Sequence, residues 1–233
     1  MSPKRRRLSK EQRKTEILAA ATKVFAEKGY RGASVSDINE EAGIARGTFY
    51  LYFESKKGVF IELVESYFNE YGRILDDYRK KQEALRDPTG VFTLAILRQS
   101  SYEIFKFNDE NRDLAGIIYR EAMGMDEDFH DRFGDMAERA NNSLFLGFKA
   151  MADLDLLRPC TLEVVTSMVV GSLVFIVMDH IVEGQGAVDL QALADELVDD
   201  YARALARPEL DAELAIELSK KLRDKEKEIA ERS

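Results

Sequence analysis

An all-α fold is predicted, in which an N-terminal three-helix helix–turn–helix domain is joined by a long helix to a C-terminal helical body. Apolar residues recur every three or four positions in one segment after another, which is typical of amphipathic helices. Near the N-terminus, two short helical patterns flank a turn around Gly43, as in a helix–turn–helix motif. With 233 residues and 45% hydrophobic side chains, the chain is long enough to bury a sizeable core.

Charge is distributed unevenly along the chain, whose net charge is −9. Residues 1–60 carry 13 basic and 7 acidic side chains, whereas the remainder carries 21 basic and 36 acidic ones. A basic N-terminal quarter on an acidic body indicates one face that binds a polyanion. The basic residues 2–10 form either a solvated tail or an arm that lies on phosphates or in a minor groove once DNA is bound, and both alternatives remain open.

A cytoplasmic location is expected. The single cysteine, Cys160, excludes an internal disulfide and fits a reducing compartment. The N-terminal basic residues are not followed by an apolar run, which argues against a secretory signal. The most apolar run, 164–178, is shorter than a bilayer requires, so a buried interface helix is favoured over a membrane span.

The first two helices are delimited by capping and stop residues. The first is predicted over 11–28, and Gly29 supplies its C-terminal stop. The second begins after Ser34, which pairs with Asp37 three residues later in the manner of a capping box. It ends at Gly43.

The third helix is predicted over 45–52. At about 100° per residue, Phe49 and Phe53 share a face that must point into the core. A helical hairpin with an aromatic core would explain these two residues but not the opposite face, which has no charge and little bulk. Such a face is typical of a helix pressed into a groove. The outward residues are Gly47, Thr48 and Leu51.

The side chains around this helix suggest particular contacts with DNA. Gly47 would allow a phosphate or the backbone to come close, while Thr48 and Leu51 can contact thymine methyl groups. The flanking polar side chains can reach phosphates on either side. These are Arg46, Tyr50, Tyr52 and Lys56.

The stretch GIARGTFYLYFESKKGVF resembles the recognition segment of TetR-family transcriptional regulators, and the preceding KVFAEKGYRGASVSDINEEAG is similar to their first two helices. The resemblance covers roughly residues 11–65. It implies that the helix starting near Ala45 enters the major groove and that Val35 and Ser36 also contact DNA. Ala45 stands where the family often has Ser and Tyr52 where it often has His, and both differences concern the operator sequence.

The rest of the chain is predicted to be helical, with a break at 87–90 and a capping turn at 108–111. The stripe of apolar residues in the helix after the break includes Phe92. The predicted helices span 56–86, 91–107, 114–123, 127–154, 161–183, 190–205 and 209–232. The expected divisions are a basic arm (1–10), the helix–turn–helix domain (11–55), the ligand-binding and dimerisation domain (56–207) and a charged C-terminal helix or tail (208–233).

Homodimerisation is implied by the resemblance, because the helices 161–183 and 190–205 are similar in position and character to the pair through which the family dimerises. Small residues there would permit close helix approach. The predicted interface residues are Gly171, Ser172, Phe175, Leu197 and Tyr201. For 208–233, an additional dimer contact and a solvated tail both remain open.

A cavity for a small-molecule effector, lined by helices between about 91 and 178, is also implied by the resemblance. Ordinary core packing is the simpler interpretation of any single aromatic side chain there. Polar residues within apolar stripes are better indicators, because a buried polar group needs a partner. The predicted ligand-binding residues are Gln99, Tyr102, Tyr119, Arg120, Met123, Asn141, Phe145, Phe175 and His180. The identity of the effector is not indicated.

No catalytic or metal site is predicted, and no cofactor is expected. The sequence has no GxSxG, HExxH, Gly-rich phosphate loop or CxxC motif. Acidic residues crowd around His130 within 126–131, and an acidic helix start explains them more simply than a metal does. Together with the helix–turn–helix pattern, the resemblance implies a repressor that binds a palindromic operator as a homodimer and is released by an effector. The alternatives are an architectural DNA-binding protein without an effector and a helical enzyme.

Overall fold

A computed structural model gives the fold and describes residues 9–84, 91–121, 127–184, 186–207 and 212–231. These residues form ten α-helices and one π-helical segment, which confirms the all-α prediction. The helices are α1 (Lys10–Gly32), α2 (Val35–Glu41), α3 (Arg46–Phe49), α4 (Lys56–Ala84), α5 (Val91–Glu110), α6 (Arg112–Glu121), α7 (Glu127–Asp153), α8 (Leu162–Ile176), α9 (Leu190–Leu205) and α10 (Ala212–Glu231). The chain divides into two compact units, residues 1–69 with 111–125, and residues 70–110 with 126–233.

Helix α1 begins after Ser9, whose side chain forms a capping box with Gln12. Gly29 interrupts its regular turns with φ 70° and ψ 160°, at the stop that the sequence predicted. Helical turns resume after this kink and continue to Gly32. The positive φ explains why glycine occupies this position.

The first unit is built around aromatic and branched side chains from several helices. Ile17, Ile38 and Phe49 are fully buried. Phe60 of α4 packs edge-on against Phe25, with 5.7 Å between ring centroids. Helix α6 packs on α1, so this compact unit extends beyond the predicted 11–55 domain.

In the second unit, α5 begins at Val91 as predicted but ends later than predicted. The expected turn at 108–111 is wrong for its first three residues, because α5 continues to Glu110. Asn108 is fully buried there, and its Nδ2 donates to the Ile104 carbonyl at 2.7 Å, so it sits within the helix instead of capping one. Phe92, expected in the buried stripe, is exposed near the start of α5.

Helix α8 is the most apolar of the chain, and it continues as a π-helical turn over Val177–Val182. Together, Leu162–Val182 have a mean hydropathy of 2.0 and enough length to cross a membrane. This helical span is longer than the apolar run 164–178. That run stops at the charged residues Glu163 and Asp179, and the helical span includes both. An apolar helix at a protein interface has the same length and composition, so this profile alone does not indicate a membrane span.

The charged C-terminal segment is docked within its own unit, since α10 packs against α5 and α9. Arg98 of α5, 0% exposed, holds this junction together. Its Nε donates to Ser219 Oγ at 3.0 Å and its Nη1 to the Asp195 carbonyl at 3.0 Å, while Nη2 forms an ion pair with Asp199. Lys220 Nζ also contacts Asp199, at 2.6 Å. Of the two possibilities left open for 208–233, a solvated tail is therefore wrong for residues 212–220.

Candidate nucleic-acid interface

Helix α2 is fixed by a capping box whose members also bind α1. The Asp37 carboxylate accepts hydrogen bonds from the backbone N–H of Ser34 at 2.8 Å and from Lys28 Nζ at 2.6 Å. The hydrogen bonds from Lys28 and then Ser34 lower the pKa of Asp37 to about 2. The carboxylate is therefore ionised at neutral pH, near the N-terminal end of α2 where a negative charge is favourable.

The recognition segment is shorter as a helix than predicted. Helix α3 covers only Arg46–Phe49, and the chain then continues as tight turns, in which the Tyr52 N–H donates to the Phe49 carbonyl at 2.9 Å. Ala45 precedes α3 without a side-chain cap, so no hydroxyl at this position secures the first turn. The helix predicted over 45–52 thus lies at the correct place in the chain, but only its first half is helical.

The inward and outward faces of this segment agree with the helical spacing. Phe49 and Phe53 are buried, with 5.9 Å between their ring centroids. On the opposite side, Leu51 is 75% exposed and Gly47 is exposed, with no atom within 4 Å of the position that a Cβ would occupy. An apolar side chain as large as leucine, exposed beside a glycine, leaves a shallow uncharged surface.

Arg46 and Tyr50 flank this surface and contact each other. The Arg46 guanidinium carbon lies 5.9 Å from the centroid of the Tyr50 ring, a cation–π distance. Tyr50 is 47% exposed and Tyr52 half-buried. The arrangement offers a guanidinium and phenol hydroxyls beside the uncharged surface, as phosphate binding requires.

Lys56 is used differently from what the sequence suggested. Its ammonium donates to the Tyr30 carbonyl at 2.6 Å and to the Ala33 carbonyl at 2.6 Å, and it lies 4.6 Å from the Tyr30 ring centroid. These carbonyls belong to the segment that follows the kink at Gly29. Lys56 thus joins the start of α4 to the end of α1.

The remaining predicted contact residues lie at the start of α2. Val35 is half-buried and Ser36 is exposed, immediately after the Ser34 cap. Residues 1–8 of the predicted basic arm lie outside the described part of the chain.

A small cavity of about 30 Å³ lies within the second unit, between α4, α5, α7 and α8. Helix α4 contributes Tyr71, Leu75 and Tyr78 to its wall. The other lining residues are Leu97, Ser100, Ser101 and Ile104 of α5, Ala140, Ser143 and Leu144 of α7, and Val170 and Leu173 of α8. Pockets for small molecules usually enclose about 300–1,000 Å³, so this space must widen before it could hold one.

None of the predicted ligand-binding residues lines this cavity. Arg120 is exposed in the first unit, where its Nε donates to the Gly116 carbonyl at 2.9 Å, and Tyr119 is buried in that same unit. His180 is exposed, as is Phe175. Residues Gln99, Tyr102, Asn141 and Phe145 are only half-buried, and Met123 lies outside the described residues, as do the side chains around His130.

Of the predicted dimer residues on α8, Phe175 is 71% exposed, whereas Gly171 and Ser172 are half-buried. Met168, which is also exposed, lies at helical intervals from Gly171 and Phe175 and shares their face. The Ser172 and Tyr201 hydroxyls lie 2.9 Å apart, which joins α8 to α9. Leu197 is different, because it is buried within its own subunit and presents little surface to a partner.

Sequence reasoning missed the charged cluster around Arg98. Burial alone would raise the pKa of Asp199, but hydrogen bonds from Lys220 and Arg98 outweigh it, so the pKa is lowered. Arg98 falls among Leu94, Ala95 and Leu97, an apolar stretch, and a cation there indicates a buried partner. The partner itself is 101 positions away and could not be identified from local spacing.

Comparison with known proteins gives a family match to the N-terminal region. Residues 17–63 match the model described as bacterial regulatory proteins of the tetR family. This range contains every predicted DNA-contact residue. No match to that model extends into the second unit.

Two curated relatives match part of this chain. The uncharacterized HTH-type transcriptional regulator YfiR of Bacillus subtilis is 40% identical over 82 residues, 35% of this chain and 40% of the relative. The HTH-type transcriptional repressor KstR2 of Rhodococcus jostii is 34% identical over 94 residues, 40% of this chain and 44% of the relative. The chain thus spans less than half the length of each.

Structural similarity extends over most of the chain. The crystal structure of the transcriptional regulator FadR from Bacillus subtilis in complex with stearoyl-CoA superposes with a TM-score of 0.59. The alignment covers 79% of this chain and 95% of that one at 22% identity. At this identity the similarity establishes the fold alone.

Proposed function

Because this chain belongs to the TetR family of bacterial regulators, we propose that it is a transcriptional repressor that binds a palindromic operator as a homodimer and is released by a small-molecule effector. The family consists of DNA-binding regulators and not of enzymes. The repressor assignment takes its support from the name of the relative KstR2. The site of action is the cytoplasm, where the operator would be found.

The observation that carries the proposal is the uncharged surface formed by the exposed Gly47 and Leu51, together with the half-buried Thr48. Leu51 is 75% exposed, although leucine is usually buried. A major groove would cover that surface, and thymine methyl groups would contact Leu51 and Thr48. Val35 and Ser36 would contribute from the start of α2.

Phosphate contacts are proposed for the residues beside this surface. Arg46 supplies a positive charge, and the hydroxyls of the exposed Tyr50 and the half-buried Tyr52 supply neutral donors. These contacts fix the orientation of the protein on the duplex without reading its sequence. The basic residues 2–10 would add salt-dependent affinity, since each neutralised phosphate releases counterions.

A second copy of this chain is proposed to cover the exposed face of α8. Phe175 and Met168 would lie at the centre of the contact, with Gly171 allowing the helices to approach closely. Two copies would present two recognition segments to one face of DNA, about 34–36 Å apart or a multiple of that distance.

Replacing Phe175 by Glu should therefore yield monomers in sedimentation equilibrium. Phe92→Glu, at an exposed position on α5, is the matched control and should leave the dimer intact.

The effector is proposed to bind in the second unit and to favour a conformation that binds DNA less well. Such a ligand shifts the equilibrium only by its difference in affinity for the two conformations. The fatty-acyl thioester held by FadR supports an apolar effector. Helix α4 is the element through which we propose the coupling, because it contributes residues to both units.

Selection from a random duplex library, followed by quantitative footprinting, tests the proposal. We expect one palindromic sequence with discrete protection of both half-sites. Leu51→Ala should weaken binding to that sequence by at least tenfold while leaving the melting temperature unchanged, since the side chain is exposed. Even coverage without sequence preference would favour the architectural alternative and overturn the proposal.

A further inference from the structure

We infer that the effector is an uncharged, mainly apolar molecule that accepts a hydrogen bond from Ser101. The inference rests on the proposed function and identifies the chemistry of its effector from the cavity between α4, α5, α7 and α8. Two features of that cavity carry it. One is a buried hydroxyl without a partner, and the other is the absence of charge from the described residues that line the wall.

Ser101 is 1% exposed and lines the cavity, yet its Oγ has no hydrogen-bond partner in the described structure. A serine inside a helix ordinarily donates to the carbonyl four residues before it. Ser143, which lines the same cavity from α7, does so, with its Oγ donating to the Arg139 carbonyl at 2.9 Å. The Ser101 hydroxyl is therefore a buried donor without an acceptor, and such donors are rarely left unsatisfied in folded proteins.

The charge of the wall limits which molecules can enter. The lining residues are aliphatic side chains, serines and tyrosines. Several charged side chains lie next to lining residues in sequence, and three of them are engaged with other groups. Arg98 pairs with Asp199, Glu103 accepts from Gln99 at 2.7 Å, and Arg139 pairs with Asp76 at 3.2 Å.

An ionised ligand would meet no opposite charge in this cavity. Transferring a carboxylate or an ammonium from water into such a site is strongly unfavourable unless the charge is paired. A neutral molecule loses much less on transfer, and its apolar surface favours entry. A single carbonyl, ether or hydroxyl oxygen would satisfy Ser101.

The small volume places a requirement on binding. At about 30 Å³, the cavity accommodates little more than a water molecule. The effector must therefore separate the helices that enclose it, and one wall consists of Tyr71, Leu75 and Tyr78 of α4. Movement of α4 is the conformational change on which the proposed release from DNA depends.

Three eight-carbon probes with different head groups test the inference: neutral octan-1-ol, anionic octanoate and cationic octylammonium. Each is titrated calorimetrically at pH 7 into the full-length wild-type protein, Ser101→Ala and Ser143→Ala. We expect octan-1-ol to bind the wild type at least tenfold more tightly than either ion. Ser101→Ala should weaken octan-1-ol binding by about tenfold, the effect of one buried hydrogen bond. Ser143→Ala should change it less than about twofold.

Several results would overturn the inference. Octanoate or octylammonium binding as tightly as octan-1-ol would do so, as would the absence of octan-1-ol binding up to its solubility limit. Equal effects of Ser101→Ala and Ser143→Ala would exclude a special role for Ser101. Operator binding without any probe is measured on the same preparations. A protein that binds its operator but fails these criteria contradicts only the effector chemistry, whereas failure to bind any operator contradicts the proposed function.

Discussion

Lys56 Nζ donates a hydrogen bond of 2.6 Å to the backbone carbonyl of Tyr30, across 26 residues of sequence. The same ammonium donates to the Ala33 carbonyl and lies over the Tyr30 ring. These contacts satisfy carbonyls near the end of α1, where backbone acceptors lack helical partners. We assign Lys56 to positioning the recognition segment, in place of the phosphate contact expected from the sequence.

Lys56→Met tests this assignment, since methionine keeps an unbranched apolar stem and removes the ammonium. Unfolding in urea should show a loss of about 1–3 kcal/mol, as expected for hydrogen bonds from a charged donor to buried or half-buried acceptors. The salt dependence of operator binding should keep its slope. Arg46→Met is the comparison, and it should reduce that slope by about one. If the Lys56→Met protein had wild-type stability but a reduced salt dependence of operator binding, Lys56 would be a phosphate contact instead.

Gly47→Ala should affect stability and DNA binding in opposite directions. Alanine is favoured over glycine within a helix by about 0.5–1 kcal/mol, and no atom lies within 4 Å of the added Cβ. The free protein should therefore be slightly more stable. If the backbone at Gly47 approaches DNA closely, the methyl group should reduce operator affinity by tenfold or more.

Gly58→Ala is the matched control for this experiment. Gly58 lies in the first turn of α4, and an added Cβ would make only an ordinary contact of 3.7 Å with Ser55 Oγ. This variant should also gain stability but bind the operator normally. Equal losses of affinity in both variants, or none in either, would show that DNA does not approach Gly47 closely.

Local patterns predicted those features that depend on side chains within a few turns of one another. Phe49 and Phe53 were assigned to the core from helical spacing alone, and both are buried. The limits of α9 and the capping pair Ser34–Asp37 were predicted equally well, because their determinants lie within three or four residues. Asn108 was misjudged as a cap because asparagine favours turns in general, whereas here burial and a bond to the Ile104 carbonyl retain it in a helix.

The features that the sequence did not predict depend on distant partners. Lys56 binds main-chain carbonyls, and every residue type carries one, so no side-chain pattern could identify them. Leu197 and Tyr201 lie on the same helix, yet only Leu197 is buried within its own subunit, and helical spacing did not separate them. The predicted effector residues combined aromatic and methionine side chains with polar groups in apolar stripes. Ser101 was not among them, because nothing in the sequence distinguishes it from a serine whose hydroxyl bonds to its own helix.

Asp37 should titrate far below an ordinary aspartate. The hydrogen bonds from Lys28 and Ser34 lower its pKa to about 2 in the folded protein. Since the folded pKa is depressed, the stabilisation is fully present above about pH 4, the range of an unperturbed aspartate, and is lost as the pH falls through about 2. NMR titration of the Asp37 carboxyl should give a midpoint near 2. In Lys28→Met the midpoint should rise, because the first of these donors is gone, and a wild-type midpoint near 4 would contradict the capping geometry.

Removing one buried charge from the cluster around Arg98 should destabilise the protein strongly, whereas replacing both buried charges by apolar side chains should destabilise it much less. Asp199→Ala leaves the buried guanidinium with only the more distant Asp195 carboxylate, 3.4 Å from its Nη1, so unfolding in urea at pH 7 should show a loss of about 3–5 kcal/mol. Lys220 is one-third exposed, so Lys220→Met, which removes the outer partner of the same carboxylate, should cost less than about 1 kcal/mol. The double variant Arg98→Met/Asp199→Leu removes both buried charges together and should recover most of the loss, because apolar packing replaces a desolvated ion pair.

If the double variant were as unstable as Asp199→Ala, shape and not charge would dominate the junction. Equal losses in Asp199→Ala and Lys220→Met would show that α10 is held by the exposed contact and not by Arg98.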